Sequence, residues 1–418
     1  MNQDLVPHLF RREYSKIVAV LVRNFGLEKI EVAEDIASET FLAAMQSWTY
    51  VGVPQNPSAW IYAVAKNKAR NHLTRLSKVR EIGSDGLDEV AGLPIDLTDT
   101  NISDSQLRMI FAVCNPAISA ESQVGLALRI LCGFGIEEIA DAFLTSRETI
   151  YKRLQRAKET LRREASGLEV PDELAIEKRL DAVLTTLYLL FSEGYYSESH
   201  PEVLRKDLCE EAMRLAELLL EHRVTDRPTV RALLALMCFQ ASRFPARRGE
   251  SGELVLYAEQ DESKWDQTLI ERGVKLLRAA STGTSLSKYH VEASIAYWHT
   301  MKEDTPEKWE SILMLYDHLL QIECSPIAAL NRTYALARVK GDAVAIVEAE
   351  QLRLTNNHFY YVLLAELYGK VDPAESRRCL AQALALAKTE ADRQTIRRKL
   401  DSVGPANPAD DYSPCKPY

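Results

Sequence analysis

At 418 residues, with 46% hydrophobic and 27% charged side chains, the chain has the composition of a soluble globular protein and a length suited to two to four domains, on a prior of roughly 100–200 residues each. No apolar run nears the roughly 20 residues needed to span a bilayer, the opening "MNQDLVPHLFRREYSK" lacks an apolar signal core, and the seven cysteines form no CxxC pair; membrane, secreted and disulfide-framework classes are excluded, and reduced thiols in the cytoplasm are expected. The net charge of −9 is unevenly spread: residues 66–80 hold six bases and no acid, and residues 145–163 hold seven bases against two acids, so two cationic segments sit within an acidic protein.

Helical periodicity dominates and strand alternation is nearly absent, which predicts an all-α fold. Leu9, Phe10, Ile17, Val18, Leu21, Val22 and Phe25 mark one amphipathic helix ending at Gly26. A second is predicted from about Glu31 to Trp48, and a third from Pro57, a favourable first-turn proline, through Leu76. On the second, Asp35 and Glu39 stand one turn apart on a common face with Glu34 beside them, while Phe41 and Trp48 are assigned to the core. On the third, Asn67, Arg70, Asn71 and Arg75 fall near helical spacing on one side, joined by Lys66 and His72; Trp60 is read as helix packing rather than as a stacking platform. The stretch 81–104, "EIGSDGLDEVAGLPIDLTDTNISD", has three glycines, seven acids and no base, which predicts a solvated linker.

A second compact unit is predicted over about 105–166. In "IEEIADAFLTSRETIYKRLQRAKETL", Ile136, Ile139, Ala140 and Phe143 face inward on a short helix, Ser146 is the N-cap of the next, and Ile150, Leu154, Ala157 and Leu161 face inward on that one. Arg147, Lys152, Arg153 and Arg156 remain outward. Arginine reads guanine edges in a major groove and both bases neutralise phosphates, so the pair reads as a helix-turn-helix with the second helix as reader. A salt-bridged surface helix is the competing explanation, and two acids are too few to pair seven bases. Leu144 stands where such turns often carry glycine.

Beyond "SGLEVPDE" a succession of helices is predicted at 177–194, 203–222, 227–243, 266–281, 286–302, 307–321, 326–339, 342–353, 358–369, 373–387 and 390–401. Alanines recur where paired helices would cross, as in a tetratricopeptide-like array of degenerate period. The connection 245–264 contains one strand-like piece, "ELVLY", and the proline-rich end after 403 is expected to fray. The eight histidines show no metal spacing, and neither "FSEGYYSESH" nor "YAEQDESKWD" offers a nucleophile elbow or phosphate loop, so no enzyme, cofactor or metal site is expected.

"EVAEDIASETFLAAMQSW" followed by "VPQNPSAWIYAVAKNKARNHLTR" closely resembles region 2 of bacterial sigma factors, and the unit 105–163 resembles their region 4. With only a short acidic linker between, the chain resembles the extracytoplasmic-function class, and "LDAVLTTLYLLFSEGYYSESH" opens an extension similar to that of the subgroup with a tetratricopeptide-like C-terminal domain. The resemblance implies region 2 at 1–80, linker at 81–104, region 4 at 105–166, extension at 167–403 and tail at 404–418. It implies core RNA polymerase as partner, through its largest-subunit coiled coil and its flap, and promoter DNA. Glu34, Asp35, Ser38 (where the family usually has glutamine) and Glu39 would grip the coiled coil. Lys66, Asn67, Arg70, Asn71 (commonly Asp in the family) and Arg75, with the loop 50–57, would engage the −10 element. Ser146, Arg147, Glu148, Thr149, Lys152, Arg153 and Arg156 would read the −35 element. The linker would be a plain tether or a nucleic-acid mimic in a basic channel, and the extension would regulate in cis, with a protein or small molecule as its own partner. A helix-turn-helix regulator with a tetratricopeptide-like sensor, acting without being a sigma subunit, is the alternative; it leaves the 31–80 unit without a purpose.

Overall fold

The computed structural model describes residues 5–81, 95–143, 145–164, 173–196, 202–247, 255, 257–282, 286–387 and 390–402. They are overwhelmingly helical, with no strand among them. Two compact units divide the chain, Met1–Val230 and Arg231–Tyr418. Most of the expected linker (82–94), the turn residue Leu144 and the expected tail lie outside the described residues.

The first unit is built around α1 (Leu5–Phe25). Ile17, Val18, Ala19, Val20, Leu21 and Val22 are all essentially inaccessible, so this helix is apolar on every side over those six residues and packs centrally. The amphipathic pattern expected for it included four of those six residues and missed Ala19 and Val20. Against α1 lie α2 (Ile30–Val51) and α3 (Pro57–Glu81). Asn56 caps α3 by accepting from the Ala59 N–H at 3.0 Å, with Pro57 in the first turn. The other side of α1 is covered by α4 (Asp99–Val113). Residues 99–104, expected to close the linker, are instead the opening turns of α4. Arg23 on α1 holds them there, donating to Asn101 Oδ1 at 2.6 Å and pairing with Asp104 at 2.7 Å.

Next come α5 (Ala120–Leu126), one π-helical turn (Ala127–Leu131), α6 (Ile136–Ala142) and α7 (Arg147–Glu164). Gly133 takes a positive φ of 73° after the π turn, beside the Tyr14 and Phe10 rings. The first unit continues past residue 166, because α8 (Glu173–Tyr196) and α9 (Glu202–Glu221) pair and dock on α4 and α5. Arg179 on α8 donates to the Phe111 carbonyl at 2.6 Å, Thr186 donates to Gln123 Oε1 at 2.8 Å, and Ser103 on α4 meets Glu221 and His222 at 3.1 and 2.9 Å.

In the second unit, α10 (Pro228–Ala241, whose first residues belong to the first unit) is followed by α11 (Gln267–Ala280), α12 (Lys288–Trp298), α13 (Pro306–Ile322), α14 (Pro326–Lys340), α15 (Asp342–Leu352), α16 (His358–Tyr368), α17 (Pro373–Leu386) and α18 (Glu390–Ser402). From α8 onward all eleven expected helices are present, within four residues of their expected ends. Thr305, Ser325 and Asp372 each cap a helix that opens with proline, one side-chain acceptor satisfying one free backbone N–H. From α11 each helix packs on the next, and α14 also touches α16, as in stacked pairs. "ELVLY" forms no strand among its described residues. Tyr257 begins a single 3-10 turn, donates to the His299 carbonyl at 3.1 Å and stacks beside Trp265.

Gly273 on α11 lies against Phe239, whose ring would sit 2.6 Å from an added Cβ. Alanine normally favours a helix interior by about 1 kcal/mol over glycine. At this position overpacking wins, and Gly273→Ala is expected to cost about 1–3 kcal/mol in urea unfolding followed by tryptophan fluorescence.

Candidate nucleic-acid interface

On α3, Asn67, Arg70, Asn71 and Arg75 are exposed along one side and Lys66 is half-buried. Their neighbour Lys68 is paired to Glu39 of α2 at 2.8 Å, an ion pair at the surface. Trp60 is half-buried, edge-on to the buried Trp48 with centroids 5.4 Å apart, so it packs the helix pair. The turn between α2 and α3 projects Tyr50 and Val51, 89% and 84% exposed, and Gly52 adopts the left-handed φ of 88° that reverses the chain.

On α7, Ser146 accepts from the Thr149 N–H at 3.2 Å, the cap that sets where the helix begins. Ile150, Leu154, Ala157 and Leu161 are buried, as their spacing demands. Arg147, Lys152 and Arg156 are exposed; Arg147 pairs with Glu137 of α6, and Arg153 lies 5.4 Å from the Phe143 ring centre. Ser122, Thr149, Lys152, Arg153 and Arg156 line a cleft of about 340 Å³ between α5 and α7, with three bases and no acid in its wall. That wall suits a polyanion. The Glu148 carboxyl is held below its ordinary range by its own backbone N–H and by Ser146, so it stays charged in the first turn, where a helix favours anions.

The anionic face of α2 divides. Asp35, Ser38 and Glu39 are exposed, and Leu42 and Met45, 54% and 56% exposed, continue their stripe at helical spacing. The i, i+3, i+4 series from Asp35 could have found those two apolar residues in the sequence. Glu34 corrects the expectation. It is 6% exposed, accepts from Arg129 Nε at 2.9 Å and from Lys158 Nζ, and is therefore unavailable to a partner in this arrangement. Lys158, a base of the cationic run, is buried with it.

Residues 9–79 match the sigma-70 region 2 family, so the three-helix bundle with its cationic α3 face is that of a sigma-70-like factor, a class of non-enzymatic transcription initiation factors that bind core RNA polymerase and promoter DNA. Residues 179–281 match a family of unknown function (DUF6596). An uncharacterized protein of Rhizobium meliloti (strain 1021) is 33% identical over 402 residues, 94% of each chain, and the chain belongs to the same family as that protein. No solved structure matches the chain.

Proposed function

We propose that the chain is a sigma factor of the extracytoplasmic-function class, acting in the cytoplasm to bring core RNA polymerase to −10 and −35 elements and to open the former. The observation that carries this reading is the placement, on one unit that includes a sigma-70 region 2, of two separate exposed cationic helix faces and one exposed acidic face. Residues 1–80 act as region 2 and 105–166 as region 4, with α6 and α7 as its helix-turn-helix. Asp35, Ser38 and Glu39, with the apolar Leu42 and Met45, grip the basic coiled coil of the largest polymerase subunit; region 4 meets the flap. Lys66, Asn67, Arg70, Asn71 and Arg75 hold the backbone and bases of the opened strand, offsetting unstacking with phosphate contacts. Ser146, Arg147, Glu148, Thr149, Lys152, Arg153 and Arg156 face the −35 duplex. The tetratricopeptide-like extension, 167–403, regulates the module in cis. Polymerase supplies the chemistry and binding energy drives melting.

Run-off transcription with purified core polymerase tests the reading: promoter-dependent transcripts are expected, and their absence together with absent core binding refutes it. Reversing Asp35 and Glu39 to lysine is expected to abolish co-elution with core polymerase while leaving helicity unchanged, since both side chains are exposed. Arg153→Ala is expected to weaken −35 duplex binding by about 1–3 kcal/mol and relax preference at one base pair if the side chain reads a base. A phosphate contact would instead lower affinity uniformly and flatten the salt dependence. Titration of labelled duplexes at several salt concentrations separates these results.

A further inference from the structure

Two ionic contacts join α2, which carries the acidic face, to α7, which carries the cationic one. Glu34 takes Lys158, and Glu31 takes Arg162. The first contact is buried, with side chains of Lys158 and Glu34 only 8% and 7% exposed, and Arg129 completes it from the π turn at 2.9 Å. Sinking a lysine and a glutamate together is seldom the stablest way to fill a core; such pairs are best attested as devices that specify one arrangement among several. Arg162 and Glu31 lie at its edge, 29% and 38% exposed. The bases of α7 thus divide into an outward set facing solvent and an inward set that neutralises α2.

The π turn that delivers Arg129 is held from a third direction. Arg214 of α9 donates to the Leu131 carbonyl at 2.9 Å, and Arg129 also donates to the Phe134 carbonyl at 3.1 Å. Burial depresses the Arg214 guanidinium, but Glu211 and its surroundings outweigh that and raise it, so it stays charged in this position. π turns are uncommon and are frequently found at functional sites. Here one turn both aims Arg129 at Glu34 and receives the grip of the first helix pair beyond residue 166.

We propose that Lys158 and Arg162 occupy the acids of α2 as an internal stand-in for a basic partner, and that α9, acting through the π turn, holds this closed state. Core polymerase and α7 then compete for neighbouring stretches of one helix, and whatever loosens α9 frees both. The inference rests on the sigma reading only in naming polymerase as the competitor.

The test uses the full chain with Cys324 and Cys415 changed to serine and spin labels at Ala63→Cys on α3 and Glu159→Cys on α7, both exposed positions; the other five cysteines are buried. Electron-electron resonance distances are read for this parent and for Lys158→Met, Glu31→Gln and Arg214→Met added to it. Glu31→Gln changes a half-exposed side chain and removes its charge while keeping its volume, and circular dichroism shows each variant folded before distances are read. Each variant is expected to populate longer distances and to bind core polymerase about 5-fold or more tightly than the parent. Distance distributions identical to the parent in all three overturn the closed state. Longer distances with unchanged core affinity overturn the competition and leave the sigma reading standing. If neither parent nor variants bind core polymerase, the sigma reading and the competition fall together, and the distances alone judge the closed state.

Discussion

Replacing Glu34 with alanine is expected to cost the unit of residues 1–230 about 3–5 kcal/mol, because it strands two cations that share one buried carboxylate. Lys158→Met is expected to cost much less, since Glu34 keeps Arg129 and the volume is nearly preserved. The comparison that decides the cause is the triple change Glu34→Leu, Arg129→Met and Lys158→Met. If uncompensated charge is what destabilises Glu34→Ala, the triple variant is neutral or gains about 1–4 kcal/mol. If lost packing is responsible, the triple variant is destabilised too. Hydrogen exchange of the amides in α1, α2 and α7 reads this unit without interference from the other. Tyr14, wholly buried, has its phenol pushed above the ordinary range by burial and by the Glu34 charge, so it stays neutral beside the cluster.

Acidification is expected to loosen the second unit through His299. Its ring meets Tyr257 and Trp309 edge-on at 5.3 and 6.2 Å, and its Nδ1 is buried without a hydrogen-bond partner. Burial first, then the Arg243 and Lys308 charges, push its pKa down to about 3, against a weaker opposing pull from Asp304. The folded pKa lies below the unfolded value near 6.5, so the unfolded chain binds the proton first as pH falls. Stability from this group is complete above about pH 6.5 and falls by about 1.4 kcal/mol per pH unit down to about pH 3. Between pH 6.5 and 4.5 the loss is therefore about 2–3 kcal/mol. Urea unfolding of wild type and His299→Phe at both values isolates it from the carboxylates: the phenylalanine variant loses that much less on acidification, and equal losses in the two proteins would refute the role.

Helix positions were legible in the sequence wherever a period, a cap and a stop agreed. The three Ser/Thr/Asp–Pro starts from α13 onward are the clearest case, and Asn56–Pro57 before α3 is another. The exposure of the charged candidates on α2, α3 and α7 was equally legible, because charge at helical spacing opposite an apolar stripe leaves few other placements. What escaped was partnership at long range. Lys158 belongs to the same basic run as Lys152 and Arg156, and nothing local marks it for burial; its partner lies 124 residues away. Glu34 looked like its neighbour Asp35 for the same reason. Ala19 and Val20 were passed over because a single helix pattern is searched for one face, and this helix is covered on more.

That all-round covering of α1 sets where the first unit can be divided. Pulling α4 away would break the Arg23 contacts to Asn101 and Asp104 and the Gln106–Ser15 hydrogen bond, and would wet apolar surface on α1 at about 1.5–3 kcal/mol for each large side chain. A boundary placed between α3 and α4 therefore runs through the packing of α1 rather than around it. A chain cut at 80 leaves the central helix with an open greasy flank and gives a product prone to self-association.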